Sequence, residues 1–127
     1  MNRTARAVMR WIATVGFVSI GIVHFVSPAG FVAMIPEALP YPEALNYIAG
    51  AAEILGGLGL ILPATRRLAA WGLIALLVAV FPANINMAVN HLPLGDRPVA
   101  SWVLWARLPL QVVMVAWVFL FTRPEPT

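Results

Sequence analysis

Four apolar segments of membrane-spanning length make up most of this 127-residue chain. They lie at about residues 8–26, 44–62, 68–89 and 102–121, and each has about the 20 residues that a helix needs to cross the hydrocarbon core of a bilayer. Backbone polar groups inside lipid must be satisfied within their own segment, which favours helices. The sequence therefore predicts an all-α, four-transmembrane-helix bundle, a single membrane domain over residues 1–127.

The composition agrees with a membrane location. Hydrophobic residues make up 61% of the chain and charged residues only 10%, and the mean hydropathy is +0.88. A soluble domain has about 25% charged residues, so this chain cannot cover a water-facing surface or hold a separate soluble catalytic domain. Cysteine is absent, which excludes disulfides, thiolate catalysis and cysteine metal sites.

The arginines predict an orientation in the membrane. All eight basic residues are arginine, and the connections 27–43 and 90–101 contain only Arg97. Because positive residues accumulate on the cytoplasmic side, both termini are expected in the cytoplasm of a bacterial-type cytoplasmic (inner) membrane. The net charge of +3 therefore indicates a lipid bilayer and no nucleic acid as partner. A membrane or soluble redox partner and a homo-oligomer stay open. The six cytoplasmic-side arginines are Arg3, Arg6, Arg10, Arg66, Arg67 and Arg123.

The connections differ in character. Residues 27–43 contain four prolines around the apolar stretch 30–35, which predicts a short interfacial helical turn between helices 1 and 2. Pro63 is expected to close the second span, with Arg66 and Arg67 in a tight turn before the third. Residues 90–101 are expected to form an exposed loop.

Ionisable residues inside the predicted spans are the most informative feature for function. Each costs about 2.5–3.5 kcal/mol on insertion scales and usually faces the bundle interior. Glu53 and Arg107 are expected roughly 8–14 Å below the outer ends of their helices, from the rise per residue. The outer half of the bundle also contains uncharged polar residues and one histidine, whereas the inner half is almost purely aliphatic. These further residues are His24, Asn84, Asn86 and Gln111, with Asn90 at the end of the third span.

Helical spacing predicts that these side chains converge. Glu53 lies on a face of small residues that includes Gly50 and Gly57, and such faces let helices approach closely. Arg107 and Gln111 are four residues apart and share a face. Pro82 is expected to loosen the third helix and so to let Asn84 and Asn86 converge. The predicted site has Glu53, Arg107 and His24 as catalytic residues and Asn84, Asn86, Gln111 and Asn90 as ligand-binding residues.

Two interpretations of this polar cluster compete. In the first, Glu53 and Arg107 form a buried ion pair that only fixes helix packing. In the second, the cluster lines a small pocket facing the outer side. The number of uncharged polar groups favours the pocket, since an ion pair needs only two or three partners. His24 and His91 are too few for a metal or haem site, so no metal is predicted.

Several runs along the chain match the pattern of a known family: Gly21-Ile-Val-His24-Phe25, Ser27-Pro-Ala-Gly-Phe31, Ile35-Pro36, Leu39-Pro40, Gly50-Ala-Ala-Glu53, Leu62-Pro-Ala-Thr-Arg66, Val80-Phe-Pro-Ala-Asn84-Ile-Asn86 and Arg107-Leu-Pro109-Leu-Gln111. Over residues 10–121 they resemble DoxX-like membrane proteins. The resemblance implies a four-helix membrane bundle in a family named after a small subunit associated with a thiosulfate:quinone oxidoreductase. Other members are linked to quinone or thiol stress, and a distant animal branch acts as a receptor-assembly chaperone. A role in thiol exchange cannot be transferred, because cysteine is absent.

The resemblance implies binding of a small quinone-like hydrophobic molecule in a redox or detoxification context, with a quinone as candidate cofactor. Arg107 and Asn84 would polarise a carbonyl oxygen while Glu53 or His24 exchanges a proton. One alternative is a self-contained intramembrane isomerase or hydrolase, with Glu53 as base or nucleophile and His24 as acid. Another is a non-enzymatic assembly or scaffold protein in which the cluster only packs.

Overall fold

The computed structural model describes residues 2–35, 38–90 and 100–124, and within these ranges the chain is helical with no strands. This confirms the predicted all-α class. The helices are α1 (Arg3–Val26), α2 (Pro28–Met34), α3 (Pro42–Gly59), α4 (Pro63–Val89) and α5 (Ser101–Phe119), the last continued by a 3₁₀ turn at Leu120–Thr122.

Three helices of the described chain are long and apolar enough to cross a membrane: α1, α4, and α5 together with its 3₁₀ turn. Helix α3 has 18 residues and is not among them. Glu43, Asn46 and Glu53 lower its hydropathy, because all three polar residues fall within this short helix. The span predicted at residues 44–62 therefore remains a prediction.

Proline sets the starts of three helices. Pro28, Pro42 and Pro63 occupy the first turn of α2, α3 and α4, where the missing N–H costs nothing and the fixed φ suits a helix. Helix α4 consequently starts at Pro63 rather than at residue 68, so Arg66 and Arg67 lie in the helix and not in the expected turn. The predicted helical turn after α1 is found as α2. Most of the predicted 90–101 loop lies outside the described residues.

The helices pack in chain order, α1 on α3, α3 on α4 and α4 on α5, with α2 lying mainly against α3. Glycines allow the tightest of these approaches. A Cβ added at Gly21 would lie 2.7 Å from the backbone oxygen of Gly50, and one added at Gly50 would lie 2.6 Å from Cβ of His24. The predicted small-residue face of α3 therefore contacts α1, and Gly50 on this face lies directly against His24 of α1.

Two arginines bind the carbonyl groups at helix ends. Arg6 is buried and donates to the backbone oxygens of Leu120 and Arg123, which ties α1 to the end of α5. Arg66 donates to the backbone oxygens of Leu60 and Ile61, just after α3. A cation is favourable at a helix C-terminus, where carbonyl groups lack intrahelical partners. Both residues thus stabilise helix ends in addition to their predicted part in orientation.

Candidate ligand-binding cavity

A cavity of about 610 Å³ lies among the helices, and all five of them contribute to its lining. Six polar side chains line one end, here called the polar end, where α1 and α4 finish and α3 and α5 begin. The opposite end, here called the apolar end, is lined by residues such as Phe17, Met114 and Trp117. The indole N–H of Trp117 has no hydrogen-bond partner among the described residues. The polar end consists of His24, Asn46, Glu53, Asn84, Arg107 and Gln111.

Asn46 of α3 fixes the ring of His24 on α1. The side-chain Nδ2 of Asn46 donates to the backbone oxygen of His24 at 2.9 Å, and its Oδ1 lies 2.7 Å from Nδ1 of the ring. An amide oxygen can only accept, so Nδ1 must carry the proton and donate to it. Asn46 therefore selects the tautomer of His24 that is protonated on Nδ1, and Nε2 points away from Asn46.

Nε2 of His24 faces the carboxyl group of Glu53. The distance between Nε2 and Oε2 is 3.3 Å, which is within ion-pair range but lacks hydrogen-bond geometry. With Nδ1 protonated, a neutral ring would present a lone pair to a carboxylate, which is repulsive. One proton between the two atoms removes this repulsion, either on the ring or on the carboxyl group. The pair is thus arranged to hold one exchangeable proton.

Helix α2 covers the histidine. The ring of Phe31 stacks on the ring of His24, with 3.9 Å between centroids and 20° between planes. His24 is 7% exposed and Glu53 is 9% exposed. Burial strengthens electrostatic interactions because the surroundings screen charge less than water does. The helical turn that the sequence places after α1 therefore helps to enclose the polar end.

The opposite wall is a chain of hydrogen bonds between α4 and α5. Arg107 donates to Oδ1 of Asn84 at 3.4 Å and contacts Sδ of Met87 at 3.2 Å. Asn84 in turn donates to Oε1 of Gln111, and Gln111 donates to the backbone oxygen of Leu77. Each of the two amides therefore accepts one hydrogen bond and donates one in this chain of contacts. Arg107 has five N–H donors, and its contacts to sulfur and to a distant oxygen leave it capacity for a further acceptor.

The ion pair between Glu53 and Arg107, on which one of the two interpretations depended, is not found among the described residues. Glu53 pairs with His24 instead. The reason is the packing order: α3 brings Glu53 against α1, whereas α5 brings Arg107 against α4. The interpretation that the polar cluster only fixes helix packing depended on that pair, so it loses its main contact.

Five of the seven predicted site residues line the cavity, and two do not. Asn86 and Asn90 lie outside it, and the side chain of Asn90 donates to Oδ1 of Asn86 at 2.6 Å. Helix α4 stays helical through Pro82, so positions two apart point about 200° away from each other. Asn84 therefore faces the cavity while Asn86 does not, contrary to the expected convergence.

Two residues that contact His24 were not among the site residues predicted from the sequence. Asn46 was overlooked although it lies seven residues before Glu53, a spacing that places both on one helical face. Phe31 carries no comparable signal, because an aromatic residue in an apolar stretch has many packing partners to choose from. In the described part of the chain, no three or more His, Cys, Asp or Glu side chains group as metal ligands would.

The role of Asn46 gives a first prediction. In the Asn46→Ala variant, Nδ1 of His24 loses its acceptor, so the ring is expected to populate the other neutral tautomer. Nitrogen NMR of labelled histidine in lipid nanodiscs, with His91→Gln as background, distinguishes the two ring nitrogens. Asn90→Ala removes an exposed amide outside the cavity and should leave the signals unchanged. Identical spectra for Asn46→Ala and the background protein would contradict the assigned hydrogen bond.

Comparison with known families adds one match. Residues 13–122 match the model of a family described as a domain of unknown function, DUF8561. The matched region contains all six residues of the polar end. Comparison with curated proteins and with solved structures gives no significant match. Since the family model covers most of the chain, the protein belongs to the DUF8561 family.

Proposed function

We propose that this protein is a four-span membrane protein that binds a quinone-like hydrophobic molecule with its ring at the polar end of the cavity. Helix α3 is the fourth span, both termini are cytoplasmic, and the membrane is a bacterial-type inner membrane. The resemblance to DoxX-like proteins supports the quinone and the redox or detoxification context. The polar side chains would bind the carbonyl oxygens of the ring, which accept hydrogen bonds.

The cavity itself is the observation that carries the proposal. Small-molecule sites are concave, about 300–1,000 Å³ in volume, and mostly apolar with a few convergent polar groups. The cavity of about 610 Å³ fits this description, with polar side chains at one end only. Polar groups that served packing alone would be expected to close on one another. Here Glu53 and Arg107 belong to separate clusters, one on each side of the cavity.

A quinone needs a hydrogen-bond donor for its carbonyl oxygen and a proton when it is reduced, and each cluster can supply one of these. Arg107 can donate to a carbonyl oxygen, and Asn84 holds the guanidinium group in place. The His24–Glu53 pair can donate its proton to an oxygen that gains electron density. Reduction of a quinone to a quinol takes two electrons and two protons, so the electrons and the second proton must come from a membrane or soluble redox partner. This chain supplies binding, orientation and one proton.

Tryptophan fluorescence tests the binding. Trp117 lines the cavity, and a bound quinone quenches a nearby indole. Titration of the protein in lipid nanodiscs with a benzoquinone that carries a decyl chain should give saturable quenching. Decylbenzene, which has the chain but no carbonyl oxygens, should compete weakly. Quenching that rises linearly with quinone, as in free lipid, or equal competition by decylbenzene would contradict carbonyl recognition.

A second candidate function is acid–base catalysis on a hydrophobic substrate, with His24 and Glu53 as an acid and base. The distance of 3.3 Å between them favours this candidate, because a group that can donate a proton and one that can accept it lie side by side at the cavity. The two functions differ in what happens to the ligand. A binding protein returns the quinone unchanged after prolonged incubation without partners, whereas an isomerase or hydrolase returns a rearranged or cleaved compound, which mass spectrometry and chromatography detect.

A further inference from the structure

The apolar end of the cavity opens between two helices that are not packed on each other. Helices α1 and α5 both line the cavity, but close packing among the described helices runs α1 to α3, α3 to α4 and α4 to α5. The two are joined at one end, where Arg6 donates to the backbone oxygens of Leu120 and Arg123. Beyond this tie, the cavity occupies the space between them.

The tie indicates which parts of α1 and α5 line the same part of the opening. The tie joins the start of α1 to the end of α5, and the cavity lining continues along both helices away from it, so the two helices run antiparallel. Residues further along α1 from Arg6 therefore lie beside residues further back along α5 from Arg123. This arrangement places Ile12 and Trp117 nearest the tie, Gly16 and Met114 further along, and Ile20 and Leu110 further still, and all six residues line the cavity.

The side chains along this opening are apolar and partly on the surface. Ile12 is 55% exposed, Ile20 is 48% exposed and Leu110 is 56% exposed, although each lines the cavity. A lining residue that is also exposed marks the mouth of a cavity. On the side of a membrane bundle this mouth faces lipid, so a hydrocarbon chain can pass through it without leaving apolar surroundings.

We propose that the ligand carries an apolar chain, which lies in the apolar end and passes between α1 and α5 into the bilayer. This inference rests on the proposed function, since the polar end must hold the ring of the same molecule. A ring without a chain would leave the apolar end unfilled, and an unfilled apolar space forfeits van der Waals contacts. The ligand is therefore a single-chain amphiphile with a hydrogen-bond-accepting ring, taken up sideways from the membrane.

Gly16 offers a direct test because it lies at the opening. A Cβ at Gly16 would meet no atom within 4 Å, and the same holds for Gly72, which is exposed on α4 and does not line the cavity. Gly16→Phe places a ring in the path of the chain, and Gly72→Phe is the matched control. Two probes are used in nanodiscs of one lipid composition: the benzoquinone with a decyl chain and the same ring without it.

Gly16→Phe is expected to weaken binding of the decyl compound by about tenfold or more, equivalent to about 1.4 kcal/mol of binding free energy, and to leave the chainless ring unaffected. Gly72→Phe should change neither. Wild-type affinity of Gly16→Phe for the decyl compound overturns the route between α1 and α5, as does equal loss of both probes. A wild-type protein that binds neither probe overturns the proposed function itself.

A second measurement needs no substitution at the opening. A decyl chain that carries bromine at its tip should quench tryptophan fluorescence more than the plain chain does, because Trp117 lines the apolar end. In Trp117→Phe this additional quenching should disappear. Additional quenching of full size in Trp117→Phe would place the chain near another tryptophan and overturn the inference.

Discussion

Replacing Arg107 with glutamine is expected to weaken binding of the decyl benzoquinone by roughly 10- to 150-fold, the equivalent of the about 1.5–3 kcal/mol that a hydrogen bond to a charged group contributes. The guanidinium group is the one cation of the described part of the cavity lining other than a protonated His24. Its existing contacts, to Met87 sulfur and to Asn84 at 3.4 Å, leave donors for a carbonyl oxygen. The measurement is the same titration by tryptophan quenching.

Arg67→Gln is the matched control for Arg107→Gln. Arg67 is exposed on α4 and does not line the cavity, so the same change of charge should leave the affinity unaltered. Arg107→Lys should recover part of the loss, because lysine keeps the charge but lacks the planar set of donors. Equal affinities of Arg107→Gln and Arg67→Gln would show that Arg107 does not contact the ligand.

Replacing Gly21 with alanine is expected to lower the free energy of unfolding by about 2 kcal/mol, within the range for overpacking a close contact. The added Cβ would lie 2.7 Å from the backbone oxygen of Gly50 and 2.6 Å from Cγ1 of Ile54. The backbone cannot turn aside as a side chain can, so α1 and α3 must separate. Reversible unfolding in mixed micelles measures the loss.

Gly72→Ala is the control for Gly21→Ala. Nothing lies within 4 Å of an added Cβ at Gly72, and alanine favours a helix over glycine by up to about 1 kcal/mol. The control should therefore be as stable as the wild type or slightly more stable. Separation of α1 and α3 also moves His24 from Asn46, so Gly21→Ala should in addition change the histidine NMR signals. Equal stability of the two variants would contradict the close packing.

The local features of this fold could be predicted from the sequence. Apolar segments of spanning length indicate helices, and the prolines that begin α2, α3 and α4 mark their starts once their preference for the first turn is considered. The small-residue face of α3 correctly predicted a close approach of another helix at Glu53. These features depend on residues near each other in the chain, so periodicity and spacing are sufficient for them.

The pairing between helices could not be predicted in the same way. Opposite charge favoured a contact between Glu53 and Arg107, but the order of packing brings Glu53 to His24 instead. The packing of whole helix faces decides which helices are neighbours. No single pair of residues indicates that order. Asn46 is a different case, because its seven-residue spacing from Glu53 was sufficient to place it at the site.

The most direct test of ring binding at the polar end is the infrared spectrum of a bound quinone with isotope-labelled carbonyl carbons. A hydrogen bond lowers the stretching frequency of the carbonyl group that accepts it. One labelled carbonyl is expected to absorb at lower frequency in the protein than in lipid alone, and to return towards the lipid frequency in Arg107→Gln but not in Arg67→Gln. Carbonyl frequencies that equal those in lipid, or that are the same in wild type and Arg107→Gln, would contradict the proposed site.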